Sequence, residues 1–315
     1  MTSIAFLFPG QGSQAVGMGK GFYTTSAGAK AVFEEANEAL GFNLARLMFE
    51  GPEADLTLTT NTQPAVLTAS VAAAAACAER GLEPTLAAGH SLGEYSALVV
   101  ARALRFADAV RIVRKRGALM QDAVPVGTGA MAAIMGLDLS QVERVCADAA
   151  KGEVVGVANV NSPQQIVIAG HRAAVERAAA LASDRGGKKS VLLPVSAPFH
   201  CALMAPAAVE LARELDGVSV ADPAIPVVRN VDAGVTRTAA EVKTFLLQQV
   251  ASPVRWTDCV RRLAAEGAST FVEVGPGRVL TGLLRRIVDG ARGLSVEDPE
   301  GLEKTLAALK DGARR

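Results

Sequence analysis

The sequence predicts an α/β protein in which a large domain is interrupted by a smaller one. Near both ends of the chain, short apolar runs alternate with amphipathic stretches, the rhythm of strands alternating with helices. Between residues 127 and 195 the order becomes βαββαβ, the ferredoxin-like split motif. A length of 315 residues also suits two domains at about 150 residues each. We therefore expect residues 1–126 and 196–315 to form the large domain and residues 127–195 to form the insert.

In chain order, residues 4–8 form a short apolar run read as a buried strand, followed by the loop Pro9-Gly10-Gln11-Gly12-Ser13-Gln14. Residues 62–80 read as a long helix, with Thr62 as its cap, Pro64 in its first turn and Gly81 beyond its end. Residues 86–88 form a strand that runs into Gly89, and helices follow at 93–104 and 106–123. The insert supplies a strand at 130–137, a helix at 140–150, strands at 153–159 and 165–169, a helix at 173–184 and a strand at 190–195. The turn between its two middle strands is Asn161-Ser162-Pro163. Helices near 202–215 and 239–250, a strand at 270–274 and a helix at 279–288 return the chain to α/β alternation.

Composition excludes several classes. Hydrophobic residues make up 50% and charged residues 20%, enough apolar material for a sizeable core. The 32 Lys and Arg residues balance 32 Asp and Glu residues, which argues against a general nucleic-acid binder. No signal peptide opens the chain, and no apolar run is long enough for a membrane span, so cytoplasmic residence is expected. Cys77, Cys146, Cys201 and Cys259 lie far apart, without metal-ligand spacing, and are expected to be reduced thiols. No metal site is expected. Nothing suggests a coiled-coil seam, so a monomer is expected.

Gly89-His90-Ser91-Leu92-Gly93 matches G-x-S-x-G, a strand-to-helix turn that exposes a nucleophilic serine. It makes the large domain α/β-hydrolase-like. Glycines on either side remove Cβ atoms that would clash, and the helix N-terminus favours a developing oxyanion. A serine hydroxyl needs a base. Of three histidines, His90 adjoins Ser91 and should point away from it, and His171 reads as a surface or capping residue. His200, in a loop after a strand, remains the base candidate. No acid can be assigned as a third member, and a backbone carbonyl could orient the ring instead.

The loop after the first strand also spells G-x-G-x-x-A, a dinucleotide-binding pattern. Its glycines continue through Gly17, Gly19 and Gly21, so no helix clearly opens there, and no second strand ends in an acid at the required distance. A flexible turn, or a loop whose backbone and Gln11 line the nucleophile pocket, fits better. Arg116 lies among Val113, Leu119 and Met120, a spacing that allows it to face inward. Spacing alone favours a salt bridge to a protein acid.

With these residues the chain closely resembles malonyl-CoA:acyl carrier protein transacylases. The markers, in family order, are Phe8-Pro9-Gly10-Gln11-Gly12-Ser13-Gln14, Gly89-His90-Ser91-Leu92-Gly93-Glu94-Tyr95-Ser96-Ala97 and Arg116-Gly117. Next come Asn161-Ser162-Pro163, Pro198-Phe199-His200, Gln249 ahead of Pro253-Val254-Arg255-Trp256, and Glu273-Val274-Gly275-Pro276-Gly277. The resemblance implies a ping-pong transfer from malonyl-CoA to holo acyl carrier protein. Ser91 would carry the malonyl ester and His200 would act as base. The carbonyl near Gln249 would orient His200, and the N–H groups of Gln11 and Leu92 would form the oxyanion hole. Arg116 would bind the free malonyl carboxylate. No cofactor is implied beyond coenzyme A as part of substrate and product.

Phe199 resembles malonyl-preferring members, although an apolar pocket discriminates a methyl group by only about 1–3 kcal/mol. An acidic carrier protein implies a basic docking patch, with Lys188, Lys189, Arg285 and Arg286 as candidates. A serine hydrolase and a non-catalytic carrier-binding module are the competing classes. Polyketide assembly and malonate decarboxylation compete as settings, and a free-standing chain favours fatty-acid synthesis.

Overall fold

The computed structural model describes residues 3–312. Its strands are β1 (Ile4–Phe8), β2 (Leu86–Gly89), β3 (Gly129–Met135), β4 (Val155–Ser162) and β5 (Gln165–His171), followed by β6 (Lys189–Leu192), β7 (Val227–Val228), β8 (Val235–Thr236), β9 (Thr270–Val274) and β10 (Arg292–Val296). They form two sheets. The larger has the order β10-β9-β1-β2-β7-β8, parallel except for the β7–β8 pair. It is built from both ends of the chain, as the alternation predicts. The smaller has the order β4-β5-β3-β6 with every pair antiparallel, the ferredoxin-like arrangement expected of βαββαβ.

The large sheet is covered on both faces, so its central strands are apolar throughout. Along β1, Phe6 and Phe8 point to one side and Ala5 and Leu7 to the other, following the two-residue period of a strand. The first side shares one core with helices Ala27–Leu40, Thr59–Glu79 and Phe106–Asp122. The second packs against Trp256, Val260 and Leu263 of helix Trp256–Ala265, and against Leu280 and Leu284. Helix Thr59–Glu79 is buried on nearly every side, which explains its alanine-rich, unstriped sequence. All four cysteines are free and buried.

The small sheet divides its side chains in the same way. Ala132, Ile134, Ile166 and Ile168 pack under helices Leu139–Ala150 and Arg172–Asp184. Met131, Ala133, Val167 and Ala169 join the core of the large domain. A parallel bridge pairs Asn159 with Val254, with Val160 N–H donating to Val254 O and Val254 N–H to Ala158 O, both at 2.9 Å. The small sheet is thus stitched to the large domain as well as packed on it.

Several expectations shift. The long helix begins at Thr59, so Pro64 lies inside it, and Thr62 does not cap it: its hydroxyl donates to Leu56 O at 2.6 Å. The helix expected at 93–104 ends at Val100, and the one expected at 279–288 ends at Leu284. The segment expected as one helix over 202–215 is a 3-10 turn, Ala202–Met204, leading into helix Ala205–Asp216. The sequence pattern does not reveal helices Lys20–Thr25, Ala27–Leu40, Leu44–Glu50, Glu53–Thr57 and Trp256–Ala265, strands β7, β8 and β10, or the final helix Pro299–Gly312.

The glycines flanking the serine turn are fixed by contact. A Cβ on Gly89 would overlap the backbone of Gly93, and a Cβ on Gly93 would overlap the carbonyl oxygen of Phe8 on β1. Gly93→Ala should therefore destabilise the protein by at least ~2 kcal/mol, an overpacking cost with backbone on the far side. An unchanged urea unfolding midpoint would contradict this.

Candidate active site

Strand β2 ends at Gly89, and helix Gly93–Val100 begins four residues later. Between them Ser91 has φ 51°, a left-handed conformation that costs a non-glycine residue about 1–3 kcal/mol. The turn is held from both sides. His90 N–H donates to Phe8 O at 2.9 Å, Ser91 N–H to Asn230 Oδ1 at 2.7 Å, and Glu94 N–H to Ser91 O at 3.0 Å.

Ser91 Oγ lies 2.6 Å from Nε2 of His200, and Nδ1 of His200 lies 2.9 Å from the backbone oxygen of Gln249. A carbonyl oxygen can only accept. Nδ1 must therefore carry the proton, which leaves Nε2 as the acceptor for the serine O–H. His200, 3% exposed, itself has φ 58°. Burial, with the nearby Arg116 cation second, pushes its pKa down to about 3. The imidazole is neutral in the resting site.

Arg116 is 1% exposed. Its fork donates to Gln63 Oε1 at 2.7 Å, Gln249 Oε1 at 2.9 Å and Ser91 Oγ at 3.2 Å. The salt bridge that spacing favoured is not formed, since the acceptors are two amide oxygens and a hydroxyl. Among the described residues no carboxylate lies within ion-pair distance of this guanidinium. Burial pushes its pKa below the usual arginine range. A buried guanidinium whose acceptors are all neutral, 3.2 Å from a serine hydroxyl, has the chemistry to receive an anion there.

The cleft above these groups encloses about 1040 Å³, including space open to solvent. Gln11 and Leu92 line it, and their backbone N–H groups have no acceptor among the described residues. Apolar walls come from Met120 and Phe199, and from Met131 and Val167 of the small sheet. His90 points away from Ser91 Oγ, as its position predicts, and bonds Asn161 Oδ1 at 2.8 Å through Nε2. His171 Nδ1 accepts from Val154 N–H at 2.9 Å, far from the cleft. Lys188 and Arg286 line a second cleft together with Ser162 and Gln165, and all four basic candidates, Lys189 and Arg285 included, are exposed.

Sequence reasoning missed Gln63, Asn230 and Glu94. Asn230 bridges the turn, accepting from Ser91 N–H and donating to Gly89 O at 2.7 Å. Glu94, 2% exposed, accepts from Asn230 N–H at 3.0 Å and from Gln249 Nε2 at 2.7 Å. Only Glu94 stood in a quoted motif, beside Gly93. The partners of all three lie far away in sequence.

The depressed His200 has two measurable consequences. Its imidazole should show no titration near 6.5 by ¹⁵N NMR and should stay neutral at pH 5. Between pH 6.5 and about 3 the unfolded chain binds a proton that the folded chain refuses, so this group's contribution to stability falls as pH falls across that window. A His200 midpoint near 6.5 would contradict both.

Comparison with known proteins gives the chain a family. The acyl transferase domain model matches residues 5–304. A malonyl CoA-acyl carrier protein transacylase of Bacillus subtilis is 48% identical over 312 residues, covering 99% of this chain and 98% of the relative. The crystal structure of an acyl carrier protein S-malonyltransferase from Vibrio cholerae superposes with a TM-score of 0.94 at 50% identity, covering 96% of this chain and 100% of that one. A malonyl-transacylase solved in complex with its type II PKS acyl-carrier protein superposes with a TM-score of 0.95 at 46% identity, covering 98% and 100%. With a parallel sheet carrying the serine turn, a neutral histidine on the serine and matches across nearly the whole chain, this protein belongs to the acyl transferase family, among the malonyl-CoA:acyl carrier protein transacylases.

Proposed function

We propose that this chain transfers a malonyl group from malonyl-CoA to the phosphopantetheine thiol of a holo acyl carrier protein through a malonyl ester on Ser91, supplying extender units for fatty-acid synthesis. The observation that carries the reading is the buried Arg116 fork, without a protein carboxylate, 3.2 Å from Ser91 Oγ. A malonyl thioester brings a carboxylate two bonds from the carbonyl under attack, which suits that spacing.

In the first half-reaction His200 Nε2 takes the Ser91 proton as Oγ attacks the thioester carbonyl. Charge builds on the carbonyl oxygen, facing the N–H groups of Gln11 and Leu92. The C–S bond breaks, and His200 returns the proton to the coenzyme A sulfur. In the second half, His200 takes the proton of the carrier thiol, sulfur attacks the Ser91 ester, and Oγ leaves with the proton. Through Nδ1, the Gln249 carbonyl stabilises the imidazolium each time. A substrate carboxylate on Arg116 also offsets the cation that depresses His200, so the base strengthens when malonyl is in place.

The carbonyl in place of a third-member acid matters for the hydrolase alternative. It leaves His200 weak, and a thiol gives up its proton more readily than water does. This favours transfer over hydrolysis.

Intact-protein mass after brief exposure to malonyl-CoA should rise by one malonyl unit, and Ser91→Ala should gain nothing. The adduct should pass to holo carrier protein. Loss to water at a comparable rate would make the protein a hydrolase, and no adduct would leave only a binding module. Arg116→Lys removes the fork, so kcat/KM for malonyl-CoA should fall about 100-fold, in line with breaking a buried charge pair. The value for acetyl-CoA should change far less. Equal losses for both would remove the carboxylate-receptor role.

A further inference from the structure

One buried carboxylate beneath the site has no part in the steps above. Glu94 follows Ser91 by three residues and is buried behind it. Its Oε2 accepts from both Asn230 N–H and Gln249 Nε2. These two partners contact the reacting groups. Asn230 Oδ1 takes the Ser91 N–H. Gln249 donates through Nε2 to Ser91 O at 3.0 Å, accepts from Arg116 through Oε1, and accepts from His200 through its backbone oxygen.

We propose that Glu94 is a positioning residue of the acyl transfer, whose reach holds Gln249 and Asn230 and, through them, the Ser91 backbone, the His200 ring and the Arg116 fork. The inference rests on Ser91 being the acylated residue.

Gln249 makes the argument specific. A free amide could rotate by half a turn and exchange its oxygen for its nitrogen. Here Nε2 has only acceptors around it, namely Glu94 Oε2, Ser91 O and Asn230 Oδ1, while Oε1 faces the Arg116 donor. The 2.7 Å bond to Glu94 is the shortest of the Nε2 contacts, so it dominates that orientation. A flipped amide would set N–H groups against the guanidinium and strip Ser91 O of a donor.

Reach rather than charge is the favoured property. Glu94 makes no ion pair with Arg116, whose two terminal nitrogens donate to Gln63, Gln249 and Ser91 while its Nε has no partner among the described residues. Burial also pushes its carboxyl up to about 7, so near neutral pH its charge is only partly present. An acid and a carboxylate can both offer Oε2 as an acceptor.

Three variants separate the possibilities. Glu94→Gln keeps the reach and discards the charge, Glu94→Asp keeps the charge and shortens the reach, and Glu94→Ala removes both. The readout is the single-turnover rate of Ser91 malonylation per folded molecule at saturating malonyl-CoA, alongside KM and Tm. Glu94→Asp and Glu94→Ala should acylate roughly 100-fold more slowly, the scale of a displacement of about 1 Å among reacting groups. KM should rise less than the rate falls, because Gln63 still holds Arg116. Glu94→Gln should rescue the rate to within about tenfold of wild type, the scale of one weakened hydrogen bond.

A fast Glu94→Asp with a slow Glu94→Gln would assign the role to charge and overturn the proposal. Wild-type rates per folded molecule in all three, with only Tm lowered, would reduce Glu94 to a fold-holding residue and overturn it equally. If Glu94→Ala does not fold, the Gln and Asp pair decides. Absence of any Ser91 adduct in wild type would instead sink the functional reading, and this inference with it.

Discussion

There is no room for a side chain where helix Gly93–Val100 crosses the end of β1. Gly93 rests on the carbonyl of Phe8, and Gly89 rests on Gly93 itself. That crowding forces the chain to reverse within a few residues, and the reversal leaves Ser91 in a left-handed conformation above the sheet. Because β1 and β2 run parallel, the loops leaving them emerge at the same edge. Gln11 after β1 and Leu92 after β2 therefore arrive side by side at one cleft. The placing of these residues around the cleft follows from a backbone contact.

How much of this was legible in the sequence depends on how local each cause is. The serine turn was readable because its glycines, strand and helix are contiguous. His200 was readable by elimination, since only three histidines exist and the other two have local structural explanations. The βαββαβ insert was readable because hairpin and helix periods alternate over short distances. Strands β7 and β8, of two residues each, carry too little pattern to find. Thr62 looked like a cap, yet its hydroxyl bonds back to Leu56 because the helix begins one turn earlier.

The polar partners were unreadable for a different reason. Gln63 meets Arg116 across 53 positions, and Gln249 meets Ser91 across 158. Amides and carboxylates leave no spacing signal when every partner comes from another element. For Arg116 the sequence favoured the plainer choice, a protein acid, and the fold supplied neutral amides in its place. The small domain adds a further non-local element. One face of its sheet closes its own core, and the other sends Met131 and Val167 into the cleft. The Val254 bridge fixes that wall against the large domain.

Ser91 and His200 share one feature: both stand at positive φ, where glycine would be at ease. The fold therefore holds backbone strain at both members of the hydrogen-bonded Ser91–His200 pair. Glycine would release that strain at either position, but at different cost: at Ser91 it removes only a hydroxymethyl group, whereas at the buried His200 it empties an imidazole-sized space and leaves the Gln249 carbonyl without its donor.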